Sequence, residues 1–303
     1  MNRIRHFFNH RIRKNFLTIL LFLFSFIAAL LFIMPTVLTI SNSFMTEKEI
    51  TANYGAMIES ASADKKTYIP EDLNLKFIPD KVSLSQYISV LFKSPDYLIK
   101  FWNSVILVVP ITVFQIILAA FTAYGFSRYR GRIREIIFFS YIILMLMPYQ
   151  VTLVPNYLVS DWLGILGTRW AIILPGIFSP FSVYLLTKIM RRIPNAYYEA
   201  ARLDGANEFQ IFWHVCLPLT RSAMLSVGLL VFIDYWNMVE QPLILLKDED
   251  QYPLSVFLSQ INTGDVGLAF AVAVVYMIPA LLLFLYGEEY LVEGITYSGG
   301  VKG

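Results

Sequence analysis

Few side chains in this 303-residue sequence are placed to do chemistry, and their setting limits what that chemistry is. Asp234 is the only acid inside a long apolar stretch, and an ionisable residue in such a stretch is a functional candidate by default. Three readings compete for it: contact with the hydroxyls of a polar solute, a pairing inside a helix bundle, or a wet position near a membrane surface. Its neighbours Trp236 and Asn237 point to an outer mouth. Tyr149, Gln150 and Asn156 occupy another apolar stretch, where they either line a path or make interhelical hydrogen bonds. His214 has no second histidine or cysteine at metal-ligand spacing, so an ordinary interfacial side chain is the simpler reading. Cys216 is the single cysteine, which rules out an internal disulfide. There is no G-x-x-x-x-G-K-S/T phosphate loop, no H-E-x-x-H, no nucleophile elbow and no paired carboxylates. The chain is expected to be no enzyme and to hold no cofactor or metal of its own.

The richest constellation lies in residues 188–221, KIMRRIPNAYYEAARLDGANEFQIFWHVCLPLTR. Pro194 and Asn195 open a short helix, since proline is tolerated at a helix start and asparagine caps one. Tyr197, Ala200, Ala201 and Asp204 share a face by helical spacing, and Gly205 follows where a left-handed residue ends a helix. A second helix runs from Asn207 with Phe209, Phe212, Trp213 and Cys216 at i, i+3, i+4, i+7. Pro218 is expected to close it, and Thr220 to cap the next segment. Small alanines allow close approach by another backbone, while Glu199, Arg202 and Glu208 offer polar contacts at the edges. A lipid-facing loop is the alternative, but such a loop favours lysine on its polar face and bulky residues on the other. The segment reads as a docking knob.

The elements that must position these residues are membrane helices. Hydrophobic residues make up 57% of the chain and charged ones 15%, against roughly 25% charge in a soluble domain. A net charge of +2 suggests no nucleic-acid partner. Six stretches approach the ~20 apolar residues a helix needs to cross the hydrocarbon layer: Phe16 to Ile40, Trp102 to Phe126, Ile136 to Leu158, Trp170 to Thr187, Ser222 to Val239 and Val266 to Tyr286. Prolines 148, 155, 175 and 180 fall in the third and fourth, where neighbouring helices can re-satisfy the freed backbone groups. The first stretch is too long for a signal-peptide core and is read as retained. With both termini cytosolic, the inner segments hold 15 of the 24 basic residues, including Arg128, Arg130, Arg132 and Arg134 in one tight turn. Trp102, Trp162, Trp170 and Trp236 then fall near the outer surface as an aromatic belt.

The predicted organisation is a cytosolic segment 1–15, a first transmembrane helix 16–40 and an extracytoplasmic insert 41–101. A five-helix core 102–290, containing the loop 188–221, and a cytosolic tail 291–303 complete it. Within the insert, Leu84, Tyr87, Ile88, Leu91 and Phe92 behind Ser83 predict a capped amphipathic helix.

Glu199-Ala200-Ala201, Asp204-Gly205-Ala206, Ile211 and Leu217-Pro218 resemble the EAA loop of permease subunits in binding-protein-dependent ABC importers. Phe77-Ile78-Pro79, Asn103-Ser104, Trp236-Asn237 with Pro242-Leu243, and the tail Gly299-Gly300-Val301-Lys302-Gly303 are similar to the carbohydrate, maltose-type branch. The resemblance runs over roughly residues 75–303, with residues 41–74 the unfamiliar part. It implies an all-α permease fold of six transmembrane helices. Tyr198, Glu199, Ala200, Ala201, Asp204, Gly205 and Ala206 would form the coupling helix and turn against a cytosolic ATPase. It also implies a second homologous permease, a dimer of ATPase subunits holding ATP and Mg, an extracellular solute-binding protein that delivers a sugar, and a bacterial or archaeal cell membrane. Asp234, Asn237, Tyr149, Gln150 and Asn156 remain the candidates for the substrate path. Sugars and other polar solutes such as glycerol phosphates are all compatible. A secondary transporter would want several intramembrane charges or repeated halves, which the chain lacks. A scaffold subunit that docks an ATPase without transporting remains a further alternative.

Overall fold

A computed structural model describes residues 2–62, 75–129, 131–260 and 266–296, and every regular element among them is helical. Five helical stretches are long and apolar enough to cross a membrane: Leu17–Asn42, Pro95–Arg128, Trp170–Met190, Glu208–Trp236 and Leu268–Leu291. The sixth expected span is different. Residues 132–162 form α5 (Arg132–Met145) and α6 (Tyr149–Trp162), which meet at 104°. At 14 residues each, neither helix crosses the hydrocarbon layer alone. Pro148 is the cause: it precedes α6 with extended backbone and has no amide to continue α5. The Trp170 span is also interrupted, as α7 (Trp170–Ile177) and α8 (Pro180–Met190), with Phe178 and Ser179 extended between them.

The chain divides into two compact units. The first comprises residues 1–93 and 261–274. Here α1 (Asn2–Asn42) leads into α2 (Glu47–Ser62), and a small core of Met45, Ile50 and Tyr54 packs against Phe270. Asn42 Nδ2 donates to the Tyr54 hydroxyl (2.8 Å), and Gln86 Nε2 to the Met45 carbonyl (2.6 Å). Residues 85–93 are helical as expected, but as α3 (Ser85–Ile88) followed by a π-turn, Ser89–Lys93. Ser83 accepts from the Ser85 amide (3.2 Å) and stands outside the cap position, which Leu84 takes. The Phe77 carbonyl accepts from Ser41, so the Phe-Ile-Pro segment ties the insert to the end of α1.

The second unit comprises residues 94–260 and 275–303, built around α4 (Pro95–Arg128). Ala119, Ala120 and Ala123 give α4 a narrow face against which Val183, Leu186 and Met190 of α8 pack. Small residues at such a contact let backbones approach closely where lipid supplies no hydrophobic drive. Nearer the α4 start, Leu107, Val108 and Ile111 form a second core with Ala171, Ile172, Phe232 and Trp236. Trp236 is 1% exposed, stacks on Phe232 and Tyr276 and donates to the Tyr276 carbonyl (3.1 Å). It is therefore a core residue and no part of an aromatic belt, whereas Trp102, Trp162 and Trp170 are exposed. Asn103 donates to the carbonyls of Asp250 (2.6 Å) and Tyr252 (3.2 Å) and accepts from Arg169 (2.7 Å). Ser104 accepts from the Leu254 amide (2.9 Å). This Asn-Ser pair thus pins the loop between α12 (Glu240–Leu245) and α13 (Leu254–Ser259) to α4. The last helix, α14 (Val266–Thr296), runs through residues of both units; the tail residues Gly299 to Gly303 lie outside the described residues.

Candidate functional site

Two places in the second unit gather the residues singled out by sequence. One is the helix–turn–helix of residues 195–216. α9 (Asn195–Leu203) ends at Asp204, and Gly205 takes φ +82°. The Ala206 amide donates to the Ala201 carbonyl and the Gly205 amide to the Arg202 carbonyl, each at 3.0 Å. That paired closure is a Schellman turn, which requires a left-handed residue at 205. Asn207 and Gln210 then form a reciprocal capping box at the start of α10 (Glu208–Ile211), with bonds of 2.9 and 2.8 Å.

The chain does not stop at Pro218. A π-turn, Phe212–Cys216, carries α10 into α11 (Leu217–Trp236) without a break. Proline lacks the amide an α-helix needs, and the widened turn just before it accommodates the loss. Thr220 consequently caps nothing; its hydroxyl donates back to the Cys216 carbonyl (2.8 Å). Asn195 does not cap α9 either. Pro194 holds the cap position, and Asn195 Oδ1 accepts from Arg128 Nη1 (3.3 Å).

The face toward the protein carries Tyr198 and Ala201, and the outward one Tyr197, Glu199, Ala200 and Asp204. Tyr198 is 1% exposed beneath the Arg128 guanidinium, which lies 3.7 Å from its ring centroid. Burial pushes the Tyr198 hydroxyl well above the usual phenol range. Glu208 is held by Arg202 and by the Tyr124 hydroxyl of α4 (2.7 Å), and the Arg202 guanidinium is held more firmly protonated by the carboxylate beside it. Arg202 and Glu208 are therefore spent on each other, whereas Glu199 has no ion pair among the described residues. Leu203 is 89% exposed, and Tyr197, Phe209 and Trp213 also face outward. The expected Phe209–Cys216 stripe splits, with Phe212 and Cys216 in the core and Phe209 stacked on Trp213 outside. The result is a stiff knob with an apolar outer ridge.

The second place is a cavity of about 770 Å³. Such a volume falls within the usual range of small-molecule sites. Its walls include both irregular stretches of the fold: Met147 and Tyr149 at the α5–α6 bend, and Phe178, Ser179 and Pro180 at the α7–α8 break. Non-helical backbone at membrane depth is tolerated where it lines a cavity or is buried in protein. Tyr149, Asn156 and Asp234 all line it. Gln150 and Asn237 do not. Gln150 reaches toward Glu240 (3.5 Å), while Asn237 donates to the Ile233 carbonyl (2.7 Å) and accepts from the Tyr276 hydroxyl (2.9 Å), fixing the end of α11.

Sequence reading missed one polar residue of the cavity lining. Gln115 of α4 is 1% exposed; its Nε2 donates to Ser182 (2.7 Å), and its Oε1 is buried without a partner. The buried Tyr149 hydroxyl also lacks one, although Gln241 stands nearby without hydrogen-bond geometry. A glutamine in the middle of an apolar span was a readable signal. Buried polar groups are nearly always paired, so these two atoms are exceptions, and both belong to residues that line the cavity.

The family model for the inner-membrane component of binding-protein-dependent transport systems matches residues 115–296. The chain is 27% identical over 234 residues to the arabinooligosaccharide transport system permease protein AraQ of Halalkalibacterium halodurans, covering 76% of this chain and 84% of the relative. It is 27% identical over 223 residues to the lactose transport system permease protein LacG of Rhizobium radiobacter, covering 73% and 81%. Its fold matches a subunit in the crystal structure of a bacterial ABC transporter that imports the acidic polysaccharide alginate. There the TM-score is 0.75 at 24% identity, over 91% of this chain and 96% of that one. With several apolar helices and a match over more than half its length, this multi-pass membrane protein belongs to the family of inner-membrane components of binding-protein-dependent transport systems.

Proposed function

We propose that the chain is one permease subunit of an ATP-driven importer and forms half of a path for a saccharide delivered by a solute-binding protein. Family membership supports import, and the sugar-transport names of its relatives support the substrate class. The observation that carries the mechanism is the knob at residues 195–216, stiffly mounted on α4 through Arg128 and Tyr124 yet apolar on its outer ridge. An exposed ridge of this kind is suited to a partner. In this reading Tyr198, Ala201 and Ala206 hold the knob on the permease, while Glu199, Ala200 and Asp204 face a cytosolic ATPase subunit that carries ATP and Mg. Gly205 sets the angle between its two helices.

Closure of an ATPase dimer would push the knob, and the bonds to α4 would pass that motion to the wall of the cavity, to which α4 contributes Gln115. A homologous permease would supply the opposite wall. In this reading both termini are cytosolic, an orientation supported by the basic residues of the inner segments, and the 128–135 arginines and the knob lie on that side.

The test is mass spectrometry of the complex gently extracted from native membranes. A stoichiometric ATPase and a second multi-span permease are expected. Recovery of the chain alone, or as a homo-oligomer without an ATPase, would overturn the assignment.

A further inference from the structure

The cavity has a sign. Among its lining residues, Asp234 is the only aspartate or glutamate, and no lysine, arginine or histidine joins it. Asp234 makes no ion pair among the described residues and is exposed in the cavity wall. Glu240, beside the lining residue Gln241, has the same sign. Two basic residues stand two positions from the wall in sequence: Arg169, engaged by Asn103 at 2.7 Å, and Lys247, whose side chain lies beside Gly167. The remaining polar side chains on the wall, Gln115, Tyr149 and Asn156 among them, are uncharged.

We propose that this cavity excludes anionic solutes and admits uncharged or cationic saccharides, with Asp234 as the residue that determines this specificity. The reasoning is electrostatic. A cleft lined by one sign of charge, with low-dielectric walls, changes local ion concentrations by about 10- to 1,000-fold. A carboxylate facing apolar walls such as Ala171, Ile172 and Leu230 is poorly screened, and a sugar acid or phosphate ester entering beside it finds no cation on this wall. Neutral hydroxyls meet no such penalty. They find an exposed acceptor in Asp234. Alginate-type uronates and glycerol phosphates are thereby disfavoured, while neutral oligosaccharides are accepted. The saccharide part of this statement rests on the function proposed above; the charge selectivity does not.

The experiment uses the complete transporter in nanodiscs with Asn156→Cys as a reporter in the cavity. The native Cys216 is 0% exposed, so it contributes little background. Labelling rates for a cationic and an anionic methanethiosulfonate, each normalised to a small free thiol, read the local potential directly. The cationic reagent is expected to react at least about tenfold faster, and Asp234→Asn to bring the ratio within about threefold of one. A ratio near one in the parent, or one that Asp234→Asn leaves unchanged, overturns the proposal. In the second arm, lactose and digalacturonate are compared as protectants of the same cysteine. Protection by lactose alone, with digalacturonate protecting only in Asp234→Asn, supports the specificity. Equal protection of the parent by digalacturonate overturns it. If neither sugar protects while the reagent ratio is high, the charge selectivity stands and the saccharide reading fails.

Discussion

The knob and the cavity handle their polar groups in opposite ways. In residues 195–216 hydrogen bonds run from neighbour to neighbour: Asn207 with Gln210, Arg202 with Glu208, Asn195 with Arg128, and Glu208 with Tyr124. In the cavity, Gln115 Oε1 and the Tyr149 hydroxyl are buried without a hydrogen bond among the described residues, and Asp234 faces an open space. The knob's network leaves one buried atom of its mount unpaired, Arg128 Nε, and is otherwise closed, which makes a part that moves as one piece, while unsatisfied groups hold free energy that a ligand can release. The knob should therefore fail through its geometry and the cavity through its chemistry. Substitutions can separate those two kinds of failure.

The largest effect is expected at Gly205. An added Cβ there meets nothing within 4 Å, so the cost of a side chain comes from the backbone at φ +82°. For a β-branched residue that cost is about 1–2 kcal/mol or more, whereas asparagine adopts the left-handed region far more readily. Gly205→Val should abolish uptake while ATP hydrolysis by the complex persists, and Gly205→Asn should keep most of the transport. Equal behaviour of the two would break the view that the turn angle is what the knob needs.

Arg128 comes next. Its guanidinium over Tyr198 contributes about 0.5–2 kcal/mol in a partly buried setting. Arg128→Leu should speed amide hydrogen exchange across Asn195–Leu203 by about tenfold, the equivalent of ~1.4 kcal/mol, and Arg128→Lys by less. Unchanged exchange would mean that Glu208 and Tyr124 alone mount the knob. Neither outcome should alter the charge selectivity of the cavity, which keeps the two regions distinct.

The two regions also differ in how far they can be read from sequence. The knob is written in local code. Gly205, the Asn207–Gln210 spacing and the alternation of core and outer residues act within a few positions of each other, so the helix–turn–helix is visible in the string. Where the reading slipped, at Pro218 and Thr220, a π-turn replaced a break, and helix period alone does not announce one. The spans are legible from apolar length. The 104° bend at Pro148 is not, because proline inside a membrane helix is compatible with a kink, a break or neither. The cavity is assembled from α4, α5, α6, α7, α8, α11 and α12, so its membership depends on packing. Asp234 announced itself by charge. Gln115, neutral and in a different span, did not, and Asn237 looked like a path residue until its bond to Tyr276 placed it at a helix end.

Gln115 tests the chemical side of the comparison. Gln115→Leu removes a buried acceptor that has no partner and, with it, the amide donor to the buried Ser182 Oγ (2.7 Å). The desolvation cost of the unpaired acceptor leaves with it and offsets the one lost bond, about 0.5–1.5 kcal/mol, so folding stability changes by no more than about 1 kcal/mol. Saccharide uptake should fall several-fold through a raised apparent KM, with thermal stability nearly unchanged. A large stability loss would make Gln115 a structural residue of the α4–α8 contact and remove it from the path.

Tyr149→Phe is the smallest change and the sharpest discriminator. The substitution keeps the ring and deletes one hydroxyl that is buried without a hydrogen bond among the described residues. If the hydroxyl waits for solute, its removal relieves an unpaired polar group, so the thermal midpoint of the complete transporter without solute should hold or rise. Uptake should fall a few-fold, the loss of one hydrogen bond of about 0.5–1.5 kcal/mol. A drop in the thermal midpoint without solute would instead mean that the second permease supplies the missing partner. Tyr149 would then belong to the subunit interface, and the cavity wall facing solute would be narrowed to Gln115, Asn156 and Asp234.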